Sequence, residues 1–181
     1  EKENNAKNKA ENAQEDPQAK IEEEKEEAKV QLPDLKASQY ETDEITTGID
    51  VSEFQGNIDW KAVADSGIDF AMIRVGYRGM KNGEIKEDAC AKYNLQEASK
   101  NGLKIGAYFF STAVTEEEAK EEAEWTKNLL SGYPVTYPVA YNCEGFQNPS
   151  SRQFELSVEE RTKLADAFLK SIEEGSYTGM F

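Results

Sequence analysis

Tyr137-Pro-Val-Ala-Tyr-Asn-Cys-Glu144 is the stretch that decides how this sequence is read. Its shortness and apolar content predict a buried strand that delivers Glu144 to its C-terminal end, with Asn142 two residues earlier. Side chains at i and i+2 of a strand point to the same side, so Asn142 and Glu144 are expected to face one place together. In a parallel α/β barrel, the C-terminal strand ends form the active face.

Strands and helices alternate on both sides of this stretch. Gly48-Ile-Asp-Val-Ser52 reads as a short strand, followed by a loop and a helix near Trp60 to Ser66. Phe70-Ala-Met-Ile-Arg-Val75 is an apolar run of the kind a buried parallel strand needs. A helix from about Asp88 to Asn101 is stopped by Gly102. Lys104 to Phe110 is the third strand. Thr115 with Glu118 forms a capping box for a helix to about Leu130, halted by Gly132 and Pro134. After the fourth strand, Tyr137 to Asn142, Ser157 with Glu160 repeats the capping box for a helix to about Glu174. Tyr177 to Phe181 begins a fifth strand. Strict alternation implies a parallel sheet with helices outside it. A last strand with no covering helix suggests the first part of a closed barrel, cut short at its C-terminus.

Residues 1–45 differ in kind. Glu22-Glu-Glu-Lys-Glu-Glu27 lies among Asn, Gln, Ala and Lys, with too few large aliphatics to offset the entropy of ordering. Residues 19–30 could make a marginal solvated helix ended by Pro33. The expectation is an acidic stalk over residues 1–45 and a folded domain over 46–181. The chain opens in Glu-Lys-Glu-Asn-Asn without an initiator Met, as a segment cut from something longer would.

Composition excludes several chemistries. The 181 residues include 36 acidic and 21 basic ones, for a net charge of −15, which argues against a phosphate-neutralising surface and so against nucleic-acid binding. Histidine is absent. That removes Ser-His-Asp and Cys-His arrangements and imidazole zinc sites. Cys90 and Cys143 do not make a disulfide framework and cannot hold a structural zinc alone. No run of about 20 apolar residues is present to span a bilayer.

Acid–base work therefore falls to carboxylates, tyrosines or lysines. The strand ends offer Asp50 and Ser52, then Phe54-Gln-Gly56, from the first strand; Arg74 and Tyr77 from the second; Tyr108 and Phe110 from the third; and Asn142 and Glu144 from the fourth. An Asp in a short apolar strand is costly to bury alone, so Asp50 should be hydrogen-bonded or in a cleft, an ion pair with Arg74 being the structural alternative. Tyr77 and Tyr108 suit either barrel packing or sugar stacking. Trp60 is expected to staple its helix to the sheet. Arg152 and Gln153 follow the fourth strand without a specific signal.

Gly48-Ile-Asp-Val-Ser-Glu-Phe-Gln-Gly-Asn-Ile-Asp-Trp60 resembles the opening signature of glycoside hydrolase family 25, the lysozymes of the Chalaropsis and phage endolysin type. Ile73-Arg-Val-Gly-Tyr77, Gly106-Ala-Tyr-Phe-Phe-Ser111 and Tyr137 to Glu144 follow in that family's order and spacing. The resemblance covers about residues 48–181 and implies an irregular TIM-like (β/α)5(β)3 barrel, of which about five strands and four helices are here. It implies hydrolysis of the β-1,4 bond between N-acetylmuramic acid and N-acetylglucosamine in peptidoglycan, by a secreted or wall-associated bacterial or phage protein.

Carried over residue by residue, Glu144 is the general acid and Asp50 a site carboxylate. The family's Asp-x-Glu motif is Asn142-Cys-Glu144 here. Arg74, Tyr77, Tyr108 and Phe110 are the substrate-binding candidates. A glycosidic oxygen leaves only once protonated, and the oxocarbenium-like centre needs a negative or nucleophilic partner. The resemblance allows that partner to be the substrate's own acetamido oxygen, oriented by the motif's Asp. An amide can still hydrogen-bond that group but brings no charge, so Asn142 should lower the rate by on the order of 10²-fold. No metal or organic cofactor is implied. The expected partner is a glycan strand bound by a monomer, with any membrane link made by an upstream anchor. A non-catalytic glycan-binding protein on the same scaffold is the alternative that Asn142 favours.

Overall fold

The computed structural model describes residues 45–181. The stalk expected over residues 1–45 therefore lies outside the described residues, Ile45 excepted. Six strands and four α-helices follow: β1 Gly48–Val51, α1 Trp60–Asp65, β2 Phe70–Arg78, β3 Ile85–Glu87, α2 Ala91–Lys100, β4 Lys104–Phe110, α3 Glu116–Leu130, β5 Val135–Asn142, α4 Val158–Glu174 and β6 Gly179–Met180. A 3₁₀ turn, Glu53–Gln55, lies between β1 and α1.

The strands pair in the order β1-β2-β4-β5-β6, all parallel, with β3 antiparallel on β2. Each new parallel strand is added at the same edge. Right-handed crossovers in one direction leave all the helices on one face, the winding of a TIM-like barrel rather than of a doubly wound sheet. The α/β class expected from the sequence is the class found.

The core lies between sheet and helices. Ala71, Ile73 and Val75 of β2, Ile105, Ala107 and Phe109 of β4, and Val139 and Tyr141 of β5 all point into it. They meet Leu95 and Ala98 of α2, Ala119 and Ala123 of α3, and Leu164, Phe168 and Ile172 of α4. Phe168 lies 5.2 Å from the ring of Tyr141 and 6.4 Å from that of Phe109, within the range of favourable aromatic pairs. Period-two alternation then sends Asp50, Met72, Arg74, Tyr108, Ala140 and Asn142 to the opposite face.

The helices start where capping chemistry puts them. Asp59 accepts from the Ala62 amide at the start of α1. The Ser157–Glu160 box is fully reciprocal. At α3 only half of the expected box forms. Thr115 accepts from the Glu118 amide, but Glu118 reaches back to the Val114 amide and pairs with Arg152 at 2.6 Å.

Five readings are corrected, the first being the strand expected from Tyr137, which begins at Val135. β2 runs on to Arg78, and β3, a polar three-residue strand, was not expected at all. α2 begins at Ala91 rather than Asp88, because Asp88 is drawn into an ion pair described below. The last strand is only Gly179–Met180.

Two irregularities interrupt the ladders on either side of β4. Between Arg74 and Gly76, β2 advances two residues while β4 advances one, from Tyr108 to Phe109. Between Ile105 and Ala107, β4 advances two residues while β5 goes from Val135 to Val139. Pro138 lies in this second interval, where a residue with no backbone N–H leaves no ladder bond broken.

Candidate active site

The first irregularity decides which side chains share the site. Strict alternation would put Arg74 and Tyr77, three apart, on opposite faces. With the bulge, Arg74 aligns with Tyr108 and Tyr77 with Phe110, so both face away from the helices. Gly76 takes the outward place, where a Cβ would come within 2.7 Å of the Trp125 ring and of the Lys86 carbonyl. Glycine is required there by close approach.

The result is a cleft of about 570 Å³ at the C-terminal ends of the strands, lined by Asp50, Arg74, Tyr77, Tyr108, Phe110, Asn142 and Glu144. All seven residues picked from the sequence meet in it. Ser52, Glu53, Phe54, Gln55, Arg78, Gly79 and Met80 complete its wall. A second hollow of about 430 Å³ runs down the helix-free face past Met72, Ala140 and Met180. Asp50, Tyr108, Asn142 and Glu144 line both, so the polar cluster stands where the two join.

Asp50 is exposed in the cleft, and the expected alternative of an Asp50–Arg74 pair is wrong. Arg74 turns to the other side. Its Nε donates to Asp88 Oδ2 at 2.8 Å and its Nη2 to Glu53 Oε1 at 3.1 Å. Asp88 has no exposed side-chain surface and also accepts from the Glu53 amide (3.0 Å) and the Cys90 amide (2.9 Å). Asp88 thus ties β2, the 3₁₀ turn and the start of α2 together. It was read only as a helix boundary, because its partner is set by tertiary structure. With its charge matched, Arg74 presents its plane, 4.8 Å from the Phe54 ring centroid and 5.3 Å from that of Tyr77.

Asn142 is fixed at its backbone, where its carbonyl accepts from the Ser111 amide at 2.8 Å. Glu144 follows beyond the strand end and is exposed. Cys143, between them, turns towards the helix side, where its thiol donates to Gln153 Oε1 at 3.3 Å. Burial pushes that thiol up, keeping it protonated. Burial also raises the Tyr108 phenol, with Asp50 and Asp88 adding to the effect and Arg74 and the Ser52 hydroxyl opposing it. Tyr108 is therefore a neutral hydrogen-bonding group on the cleft wall.

The remaining sequence candidates are structural. Trp60 is 2% exposed and donates from Nε1 to Asn94 Oδ1 at 3.2 Å, stapling α1 to α2. Arg152 donates to the Thr112 carbonyl and Glu118, and Gln153 to the Ala113 carbonyl, so neither reaches into the cleft. Among the described residues, no group of three or more His, Cys, Asp or Glu side chains could hold a metal ion.

A similar fold occurs in known structures. The modular autolysin LytC of Streptococcus pneumoniae, solved with a synthetic peptidoglycan ligand, is 26% identical over 72% of this chain and 30% of its own length, with a TM-score of 0.60. Two further structures share the fold. The spore cortex lytic enzyme SleM of Clostridium perfringens has 20% identity and a TM-score of 0.65, over 77% of this chain and 44% of that one. A muramidase from Trichobolus zukalii has 19% identity and a TM-score of 0.58, over 74% and 63%. This chain thus spans about a third of the length of the autolysin it matches. No curated protein sequence matches it. The family described as Glycosyl hydrolases family 25 matches residues 49–180. A match over most of the folded part, on the fold and cleft just described, means that this chain belongs to glycoside hydrolase family 25.

Proposed function

We propose that this chain is a peptidoglycan N-acetylmuramidase domain, cleaving the β-1,4 bond between N-acetylmuramic acid and N-acetylglucosamine. The observation that carries the reading is the convergence of Asp50, Asn142 and Glu144 on one cleft walled by Tyr77, Tyr108 and Phe110. Glu144 protonates the leaving oxygen. Asn142 holds the acetamido group of the sugar whose bond breaks, and Asp50 is the carboxylate nearest the developing positive charge. The aromatics bind sugar faces, and water completes hydrolysis without a cofactor. Such a domain acts outside the cell or at the wall, as a monomer, with residues 1–45 as a spacer.

Asn142 makes the rate low, because an amide adds no charge where the motif's Asp would. The test is clearing of purified cell walls by the full chain and two variants. Asn142→Asp should speed clearing by about 10²-fold, and Glu144→Gln should abolish it. A second reading, a non-catalytic glycan-binding protein, is favoured by Asn142. It prevails if neither the parent chain nor Asn142→Asp clears walls while both still bind them.

A further inference from the structure

Phe54 is 79% exposed, an unusual state for a phenylalanine lining a cleft. Its place is nevertheless tightly fixed. The 3₁₀ turn that carries it is capped at its start: Ser52 Oγ accepts from the Phe54 amide at 3.3 Å, and Gln55 Oε1 accepts from the Ser52 amide at 2.8 Å. The turn ends at Gly56, whose φ of 62° and ψ of −145° are accessible in practice only to glycine. The neighbouring Glu53 is tied to Asp88 and Arg74. One side of the Phe54 ring rests on the Arg74 guanidinium. The cation covers only a small part of the ring, so most of it is a flat apolar surface open to solvent, carried on a turn whose backbone is held by its caps.

We propose that Phe54 is a sugar-stacking residue at the cleft rim, taking the C–H face of a pyranose unit of the glycan strand. The inference rests on the glycan-hydrolase reading above and adds to it a contact that seats the strand beyond the polar cluster. Pyranose rings present apolar C–H faces, and an aromatic ring already ordered in its bound position gives up little freedom when one docks. A role limited to shielding the Arg74–Asp88 pair would be served by any apolar side chain. A stacking role needs an aromatic one.

The experiment is calorimetric titration of the full chain with a soluble β-1,4-linked N-acetylglucosamine tetramer. Phe54→Ala and Phe54→Leu should each weaken binding about tenfold, and Phe54→Trp should retain it. The Phe54→Trp protein should also gain a blue shift in emission on saturation that the parent, with Trp60 and Trp125 alone, does not show. Unchanged affinity in Phe54→Ala or Phe54→Leu, or no added emission shift in Phe54→Trp, overturns the stacking role while the parent's binding leaves the glycan reading standing. Failure of the parent itself to bind the tetramer overturns both.

Discussion

Glu122 on α3 offers a test of the energetics behind the site. It is fully buried, and its Oε1 accepts from Arg78 Nε at 2.7 Å. The Ser111 hydroxyl donates to Tyr141 Oη at 3.0 Å, and Glu122 Oε2 is left without a hydrogen-bond partner. Burial pushes the carboxyl up from 4.5 to about 7, against the nearby Ser111 hydroxyl and the Arg78 guanidinium. A raised carboxyl pKa means the folded chain binds more protons than the unfolded one between about pH 4.5 and 7. Its contribution to stability is thus intact below 4.5 and falls as pH rises through that window. At 1.36 kcal/mol per pH unit, the fall is on the order of 3 kcal/mol. Glu122→Gln removes the titration and keeps an oxygen acceptor for Arg78. Urea unfolding of both proteins, followed by tryptophan emission from pH 4.5 to 8, isolates the effect because other groups cancel in the difference. Parent stability relative to Glu122→Gln should drop by about 3 kcal/mol over that range. Parallel profiles would show that the Arg78 pair fully offsets burial, and the reasoning would be refuted.

Three other outcomes can be checked by the same unfolding measurement. Arg74→Leu strands the buried Asp88 charge and should cost about 3–5 kcal/mol. Gly76→Ala drives a methyl against Trp125 and the Lys86 carbonyl, which should cost about 1–3 kcal/mol. Trp60→Phe leaves Asn94, whose Nδ2 already lacks a partner, with its Oδ1 unpaired as well. The expected loss is about 1–3 kcal/mol.

Much of this fold could be read before any coordinates. Apolar runs such as Phe70–Val75 and caps such as Ser157 with Glu160 are local signals, and the elements they announce are present. The cleft residues were legible because strand ends in a parallel sheet share one face. Partners separated along the chain were not. Nothing local links Arg74 to Asp88, or Arg78 to Glu122, since the first pair is made by the β2–β3 hairpin and the second only when α3 packs on the sheet. The hairpin strand Ile85–Glu87 has too few apolar residues to show a period. Phe54 was picked out beside the first strand end, but its place against Arg74 was not legible, because that contact is made only once β2 lies beside the 3₁₀ turn.

Asp50 and Asn142 stand on β1 and β5, three strand spacings apart in the pairing order. In a flat sheet that distance would be about 14 Å, yet both line the same hollow. The two irregularities flanking β4 lie between them, and such insertions bend a strand and sharpen its twist. Curvature concentrated at Val75–Gly76 and at Thr136–Pro138 therefore sets the aperture of the site. A change at either place could widen or narrow the gap between Asp50 and Asn142 with every cleft side chain left intact, so the bite of this scaffold can be tuned from residues that do not line the cleft.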